Sequence, residues 1–365
     1  MADTSFASDN ALTIKKWSAL LFKQVLGDIF FGKFVGKTDK NIIQTKTDLL
    51  KDRGDKVVFG LRMKLSGAGR KDDESLEGEE EALTFHDFSA TLHLRQNAVR
   101  AAGKMTLRRT AFDIKSEAKD GLADWLTDKL DEDTLLALSG LANSDLGLSA
   151  VAPSTNRKWY GGQTVGSSGT EAVLEAVAND AAIDSATTNL FGPMVVSAIK
   201  RKAKLATPKI RPVRVDGKDY YVMFIHPYQM KALRNTYEWK QSQYHAALRG
   251  LTNPIFAGAE CIIDGVIIHE YDKIETRLGA GGSTPSEYFE SGDNCASGIY
   301  VARALFCGAQ AGVHAYGQYP GWYEKMFQYG RIPGVATDVI LACAKTVFNS
   351  EDFGSIIVDT AYVTD

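Results

Sequence analysis

The spacing of apolar residues changes along the first 140 residues, and each spacing predicts a different element. Residues 11–31 place apolar side chains among lysines in a pattern that predicts an amphipathic helix. From Lys56 apolar and polar residues alternate, as in a half-buried strand, until the sequence reaches Ser66. A second alternation covers residues 83–94, where a bulge near His86 would restore the phase. Together the two alternations predict a long β-hairpin.

The segment between these two strands, residues 70–81, is strongly acidic. It holds seven acids in twelve residues, so it must be solvated or paired with cations. A two-stranded ribbon of this length is only marginally stable alone in water, which predicts that the hairpin packs on a partner surface. The acids, predicted to lie at an inter-subunit contact, are Asp72, Asp73, Glu74, Glu77, Glu79, Glu80 and Glu81.

A long helix is predicted after the hairpin. Apolar residues recur every three or four positions from Leu107 onward, and Thr106 is a suitable N-cap. If the helix continues to about Leu138, it is roughly 45 to 50 Å long at 1.5 Å per residue, more than a compact domain usually needs. We expect it to act as a spine.

The second half of the chain mixes helical and strand patterns. Residues 139–170 are rich in Gly, Ser, Asn and Ala, which predicts a linker. The predicted elements are a helical region at 171–206, a strand at 220–225 turning at His226-Pro227 into a helix, a hairpin around Asp264-Gly265, and helix and strand across 335–347 and 356–363.

Residues 200–214 form a basic segment, with seven cations in fifteen residues and no acid. Three interpretations stay open: a solvated helix face, a patch that faces phosphates, and a dock for the acidic segment of another subunit. The cations are Lys200, Arg201, Lys202, Lys204, Lys209, Arg211 and Arg214.

Composition narrows the class of protein. The net charge is −3 and the pI is about 6.1, so no overall positive field would attract nucleic acid or anionic lipid. No secretory leader is recognisable and no apolar run reaches the roughly 18 residues of a membrane span, so we expect synthesis in the cytoplasm and no membrane contact. The four cysteines lie too far apart for a metal motif and are interpreted as core thiols.

Candidate chemistry is weak throughout. The glycine-rich stretches lack the spacing of a phosphate-binding loop, and His269-Glu270 has no second histidine four residues on. His226 precedes Pro227 at the end of a strand, as a turn histidine would. We therefore predict no catalytic residue, no metal and no cofactor.

Several stretches resemble the major capsid proteins of tailed bacteriophages, which have the Hong Kong 97-type fold. The extended loop of the family named after coliphage N-four is similar to three stretches of this sequence. They are Leu61 to Gly69, Leu76-Glu77-Gly78 and Glu80-Glu81-Ala82-Leu83. One position departs from the family pattern: Gln328 stands before Tyr329-Gly330, where the family would more often have an acidic residue. Further similar stretches are Asn97-Ala98-Val99-Arg100, Leu122-Ala123-Asp124-Trp125, Phe224-Ile225-His226-Pro227, Asn253-Pro254-Ile255-Phe256, Gly308-Ala309-Gln310-Ala311 and Asp352-Phe353-Gly354.

The resemblance implies an α+β fold with defined parts. It places an N-terminal arm at residues 1–50, an extended β-hairpin loop at 51–104, a peripheral domain with the spine helix at 105–165 and 335–365, and an axial domain at 166–334.

The resemblance also implies a shell function. Subunits would form hexamers and pentamers of an icosahedral shell around double-stranded DNA, with the extended loop across the adjacent subunit. Portal, scaffold and decoration proteins are the further partners implied, with non-specific proximity to packaged DNA. Assembly would occur in the host cytoplasm and the product would be the virion. The alternatives are a bacterial nanocompartment shell protein of the same fold and a soluble ligand-binding enzyme.

Overall fold

The structure of this 365-residue protein is a computed structural model. The residues that it describes are 25, 29–50, 54–63, 65, 67, 69–72, 77, 80–101, 109, 114–164, 172–178, 182–183, 187–215, 217–244, 261–278, 298–330 and 332–364. Most of the predicted N-terminal helix, just over half of the predicted arm at 1–50, and the predicted cap at Thr106 lie outside these residues.

The described residues form an α+β fold. The helices are α1 Ile114–Ser139, α2 Pro193–Leu205, α3 Pro227–Asn235 and α4 Tyr237–Tyr244. The strands are β1 Val35–Gly36, β2 Ile43–Lys46, β3 Lys56–Arg62, β4 Phe85–Thr91, β5 His93–Arg100, β6 Lys158–Gln163, β7 Leu174–Val177, β8 Val213–Val215, β9 Lys218–Ile225, β10 Cys261–Ile263, β11 Val266–Glu270, β12 Thr276–Leu278, β13 Tyr300–Cys307, β14 Gly312–Phe327, β15 Ile332–Lys345, β16 Val347–Phe348, β17 Glu351–Asp352 and β18 Ser355–Tyr362.

Two sheets carry most of the strands. The five-stranded sheet has the order β1-β2-β14-β15-β5 and is built around the long hairpin of β14 and β15. The nine-stranded sheet has the order β10-β11-β9-β13-β18-β6-β7, with β8 beside β9 and β12 beside β13. Strand β15 therefore lies in one sheet and β18 in the other, although both belong to the predicted segment 335–365. The domain boundaries themselves stay a prediction.

Helix α1 confirms the predicted spine. Its 26 residues span about 39 Å at 1.5 Å per residue. The side chains of Leu122 and Leu126 pack against the five-stranded sheet, whereas Leu135 and Leu138 join the core beside the nine-stranded sheet. The helix ends at Gly140, whose φ of +71° suits a residue without a side chain. One helix thus contributes to the cores beside both sheets.

The predicted hairpin is confirmed, but it is shorter than expected. β3 and β4 pair in continuous register from Lys56↔Thr91 to Arg62↔Phe85, with no bulge at His86. The phase of the pattern changes because Phe85 points to the outer face instead. After Leu92 the chain leaves the hairpin, and β5 pairs with β15 in the five-stranded sheet.

The base of the hairpin packs on its own subunit. Val57, Phe59 and Leu61 are buried in a cluster that includes Ala342 and Phe348. The expectation that the whole hairpin lacks a surface to cover at home is therefore wrong for its base.

Several predictions for the second half need correction. Residues 174–177 form a strand within the predicted helical region, so helix is limited there to α2 among the described residues. The predicted linker contains strand β6, and the helix expected near the end of the chain is wrong because β15 and β18 are both strands. The turn at His226 and the hairpin at Asp264-Gly265 are confirmed, with Asp264 and Gly265 at φ values of 48° and 74°.

Candidate inter-subunit surfaces

The distal half of the hairpin exposes large apolar side chains. Beyond the last paired residues, Arg62 and Phe85, every residue of the hairpin that the structure describes is exposed. Phe85 is 64% exposed and Leu83 53% exposed, although they are side chains that a folded protein usually buries. Met63 and Leu65, which follow β3, are exposed as well. Val58 is exposed nearer the base, on the outer face of β3 opposite Ser89. Such a concentration is typical of an association surface.

The acidic segment continues this surface toward the end of the hairpin. Its described acids, Asp72, Glu77, Glu80 and Glu81, are all exposed. Asp72 lies 3.7 Å from the Lys71 ammonium, and the Glu81 carboxylate accepts a hydrogen bond from the Gly67 N–H at 2.7 Å. Three predicted acids, Asp73, Glu74 and Glu79, lie outside the described residues.

The structure divides the predicted basic segment instead of presenting it as one patch. Lys200 pairs with Asp264 at 2.7 Å, and Arg214 pairs with Asp219 at 2.9 Å. Lys202 is partly buried and donates to the Lys158 carbonyl; desolvation, followed by the charge of Arg157, lowers its pKa. Arg211 lies 3.8 Å from Asp39 and over the ring of Phe353.

Three members of the basic segment keep exposed cations. Arg201, Lys204 and Lys209 are exposed and have no ion-pair partner among the described residues. Arg201 and Lys204 lie on the exposed side of α2, and Lys209 follows the helix. An anion can contact these positions without a rearrangement of the subunit. Their role as a dock or as a phosphate-facing patch stays a prediction.

Two residues of the predicted N-terminal arm, Phe30 and Phe31, are fastened to the spine helix. The Asp131 carboxylate, on α1, accepts hydrogen bonds from the Phe30 N–H at 2.9 Å and the Phe31 N–H at 3.2 Å. Burial raises the pKa of Asp131, and these two hydrogen bonds act against the rise. The Phe30 ring also stacks on Tyr271 with 4.3 Å between centroids. This part of the predicted arm is thus held against α1 and Tyr271.

The turn between β14 and β15 forms a second protruding tip, for which the sequence predicted no role. At the turn between β14 and β15, Gln328, Tyr329 and Gly330 all have positive φ, and the Tyr329 side chain is fully exposed. Beneath the turn, the Arg100 guanidinium and the Lys325 ammonium lie 4.6 and 5.3 Å from the centre of the Phe327 ring. The sequence signal that could have found this site is Gln328-Tyr329-Gly330, since glycine is typical of a turn.

The interior charges are structural. Arg303 and Asp359 form a buried pair at 2.9 Å, and Lys345 and Asp352 another at 3.0 Å. A cavity of about 270 Å³ between the hairpin base, the end of α1 and β15 is lined mainly by apolar side chains such as Leu141 and Val151. Within the described ranges, no three His, Cys, Asp or Glu side chains are grouped as a metal site.

No described helix is long and apolar enough to cross a membrane.

These features define the class of protein as a capsid subunit of the Hong Kong 97-type fold, with a spine helix, two sheets and an extended hairpin. The chain belongs to the phage capsid protein family, which matches it over residues 5–364. It is 30% identical to the major capsid protein of Pseudomonas phage KPP25 over 372 residues, with 94% of each chain covered.

Solved capsids have the same fold. The capsid of Ralstonia phage GP4 matches with a TM-score of 0.77 and 29% identity, covering 100% of this chain and 96% of that one. The Cyanophage Pam1 capsid asymmetric unit matches with a TM-score of 0.68 and 22% identity, with 100% of each chain covered. The protein is thus a structural subunit of a phage virion, not an enzyme, and it assembles with copies of itself into the shell. The comparisons favour this function over the nanocompartment and enzyme alternatives.

Proposed function

We propose that the subunits form hexamers and pentamers of an icosahedral shell that encloses double-stranded DNA, with each extended hairpin lying across the adjacent subunit. The observation that supports this proposal is the apolar surface on the outer face of the hairpin. Val58 is 55% exposed and Phe85 64% exposed on the face opposite the buried base. In an isolated subunit these apolar side chains stay in water and add nothing to stability. When a neighbouring subunit covers them, their burial stabilises the contact.

The hydrophobic effect gives the size of that gain. Burying a side chain such as Leu or Phe stabilises an interface by roughly 1.5–3 kcal/mol. The contact joins the hairpin of one copy to a different surface of the next, so it is heterologous and closes into a ring when the rotation allows. Each subunit in the ring then gives and receives the same contact.

The finer partners belong to the same proposal. We expect a scaffold and a portal during assembly in the host cytoplasm, and decoration proteins on the finished shell. The exposed cations Arg201, Lys204 and Lys209 are the described residues best suited to face DNA phosphates, because their charges are not matched by ion pairs among the described residues. The coliphage N-four relationship and the domain boundaries at 50, 104, 165 and 334 are part of this proposal.

Electron microscopy of the purified protein, expressed with a scaffold where one is required, tests the shell. We expect hollow particles with hexamers and pentamers. Phe85→Ser should prevent them without lowering the thermal stability of the subunit, since Phe85 touches solvent. Leu205→Ser is the matched control, because Leu205 is 75% exposed at the end of α2, away from the hairpin. Normal shells from the Phe85 variant, or none from the unaltered chain, would contradict the proposal.

The acidic segment is tested by charge reversal. Replacing Glu79, Glu80 and Glu81 together with Lys should weaken association between subunits at low ionic strength, and the difference should shrink in high salt. Light scattering of the assembly reaction across a salt series measures the effect. Unchanged assembly at every ionic strength would show that the acids are only solvated.

A further inference from the structure

We propose that the outer edge of strand β5 is the surface that receives the distal hairpin of a neighbouring copy, as an added antiparallel or parallel strand. This inference rests on the proposed function above and names the receiving surface. β5 ends the five-stranded sheet, and β15 is its one strand partner among the residues that the structure describes. An unpaired strand edge offers a row of N–H and C=O groups to another chain.

The register shows which groups point outward. The Ala101 N–H donates to the Pro333 carbonyl at 3.1 Å, and the pairing runs without a shift back to His93↔Leu341. Because hydrogen-bonded and free positions alternate along an antiparallel strand, the backbone groups of Leu94, Gln96 and Arg100 face away from β15. The outward N–H of Ala98 donates to the Asn97 side-chain oxygen at 2.8 Å.

The other sheet edges are less suitable. Within the described part of the chain, β1, β10 and β7 are edges of only two, three and four residues. On β3 the outward carbonyl of Val58 already accepts a hydrogen bond from the Lys46 ammonium at 2.8 Å. Among the strands that end the two larger sheets, β5 is the longest, with eight residues.

The side chains along β5 also fit a second chain. The half of β5 from Gln96 to Arg100 is exposed on both of its faces, so no described element of its own subunit covers it. Leu94 and Val99 are exposed apolar residues on this strand, and the distal hairpin exposes Leu83 and Phe85. Pairing β5 of one copy with the hairpin of another would bury apolar side chains from both copies.

Charge complementarity selects the acidic hairpin as the occupant. At the end of β5, the Arg100 guanidinium and the Lys325 ammonium both lie within 5.3 Å of the centre of the Phe327 ring. The nearby Glu324 carboxylate is engaged by the Trp322 indole N–H at 2.8 Å. A neighbour's distal hairpin laid along β5 brings its acidic segment to these two cations.

A proline at an outward position tests the edge. Gln96→Pro removes an N–H that the subunit itself does not use, so the subunit should keep its far-ultraviolet spectrum and melting temperature while shell formation falls at least tenfold. Gln96→Ala is the matched control and should assemble normally. Assembly of the Gln96→Pro variant at the unaltered rate would overturn the proposal.

Charge exchange tests the same contact if the proline variant does not fold. Arg100→Glu with Lys325→Glu should reduce assembly at low salt, and adding Glu80→Lys with Glu81→Lys should restore it by at least half. Absence of any restoration would count against this docking position.

Cross-linking mass spectrometry on assembled shells separates the two proposals. Cross-links between hairpin lysines of one copy and Lys325 of another support the β5 site. If the hairpin cross-links instead to another surface of the neighbour, the proposed function stands and the β5 inference fails. If the unaltered protein forms no shells, the proposed function itself fails.

Discussion

The guanidinium of Arg95 and the carboxylate of Asp133 form an ion pair that joins strand β5 to helix α1, with only 10% and 5% of the two side chains exposed. The Arg95 Nε donates to Asp133 at 3.1 Å, and the same carboxylate accepts a hydrogen bond from the Asn143 amide at 2.6 Å. The strand that follows the hairpin is thereby fixed to the spine.

We predict that Arg95→Ala lowers the free energy of unfolding by about 3–5 kcal/mol, because it leaves the Asp133 carboxylate buried without its cation. Lys129→Ala is the control. Arg95 also lies 3.3 Å from Asp145, and Lys129 pairs with the same Asp145 at 2.7 Å. Because Lys129 and Asp145 are both partly exposed, the loss of Lys129 should cost at most about 1 kcal/mol. Urea denaturation of the unassembled subunits measures both values. Equal effects of the two variants would show that the buried Arg95 pair contributes no more to the free energy of unfolding than the partly exposed Lys129 pair.

The fastening of the arm to α1 gives a second prediction. Asp131→Asn keeps the size of the side chain but presents an NH₂ group to one of the two backbone donors, so we expect a loss of about 1–3 kcal/mol. Hydrogen exchange at the Phe30 and Phe31 amides should accelerate more than exchange within the centre of α1.

Asp128→Asn provides the comparison for that experiment. Asp128 is exposed and pairs with Lys273 at 2.5 Å, so its amide variant should leave the Phe30 and Phe31 amides protected. Faster exchange in both variants would mean that the charge of α1, and not the hydrogen bonds of Asp131, holds the arm.

Sequence patterns predicted the elements whose signal is local. The alternation from Lys56 gave the hairpin because one face of β3 is buried and the other exposed. The Asp264-Gly265 pair gave its turn because both residues accept positive φ. The spine followed from apolar residues on one stripe of α1, among them Leu122 and Leu126.

Patterns failed where both faces of a strand are covered. In β15, Val339 faces the spine helix while Ala342 faces the hairpin base, and β18 is buried along its whole length. A strand buried on both sides loses its alternation, which explains the helix wrongly expected near the end of the chain. The break at Leu92 was also missed, because the partner of β5 lies about 240 residues away in the sequence.

The candidate surfaces were predicted only in part. Charge counting found both charged segments, but it could not show that Lys200 and Arg214 are paired within the subunit. It also missed the cations at Arg100 and Lys325, which approach each other only when β5 and β14 lie on either side of β15.

A buried histidine predicts how stability depends on pH. His314 lies on β14 with its Nε2 3.0 Å from the Thr134 hydroxyl, and burial lowers its pKa to about 4. The unfolded chain, with a histidine pKa near 6.5, takes up a proton first as the pH falls. Stability from this residue is therefore complete above about pH 6.5 and is lost between there and pH 4, by about 3 kcal/mol in all.

The His314→Gln variant isolates this effect. The neighbouring Cys343 thiol stays neutral through that range because burial raises its pKa, so it adds no slope. His226, whose pKa burial also lowers, contributes equally to both proteins and cancels in the difference. Denaturation midpoints at pH 7.5, 6, 5 and 4 should converge between the variant and the unaltered chain as the pH falls. A constant difference across the series would rule out titration of His314.

Glycine substitutions give the last prediction, and they test two positions in opposite directions. A Cβ on Gly354 would lie 2.7 Å from the Ala311 backbone, and the Gly354 carbonyl accepts a hydrogen bond from the Gly308 N–H, so the backbone there cannot move freely. Gly354→Ala should destabilise the subunit by about 1–3 kcal/mol through this clash. Gly121, on the exposed side of α1, has open space around it, so Gly121→Ala should stabilise by roughly 0.5–1 kcal/mol through helix propensity. Melting temperatures that move in opposite directions confirm the packing of the Gly354 turn; a neutral Gly354 variant would show that the turn relaxes.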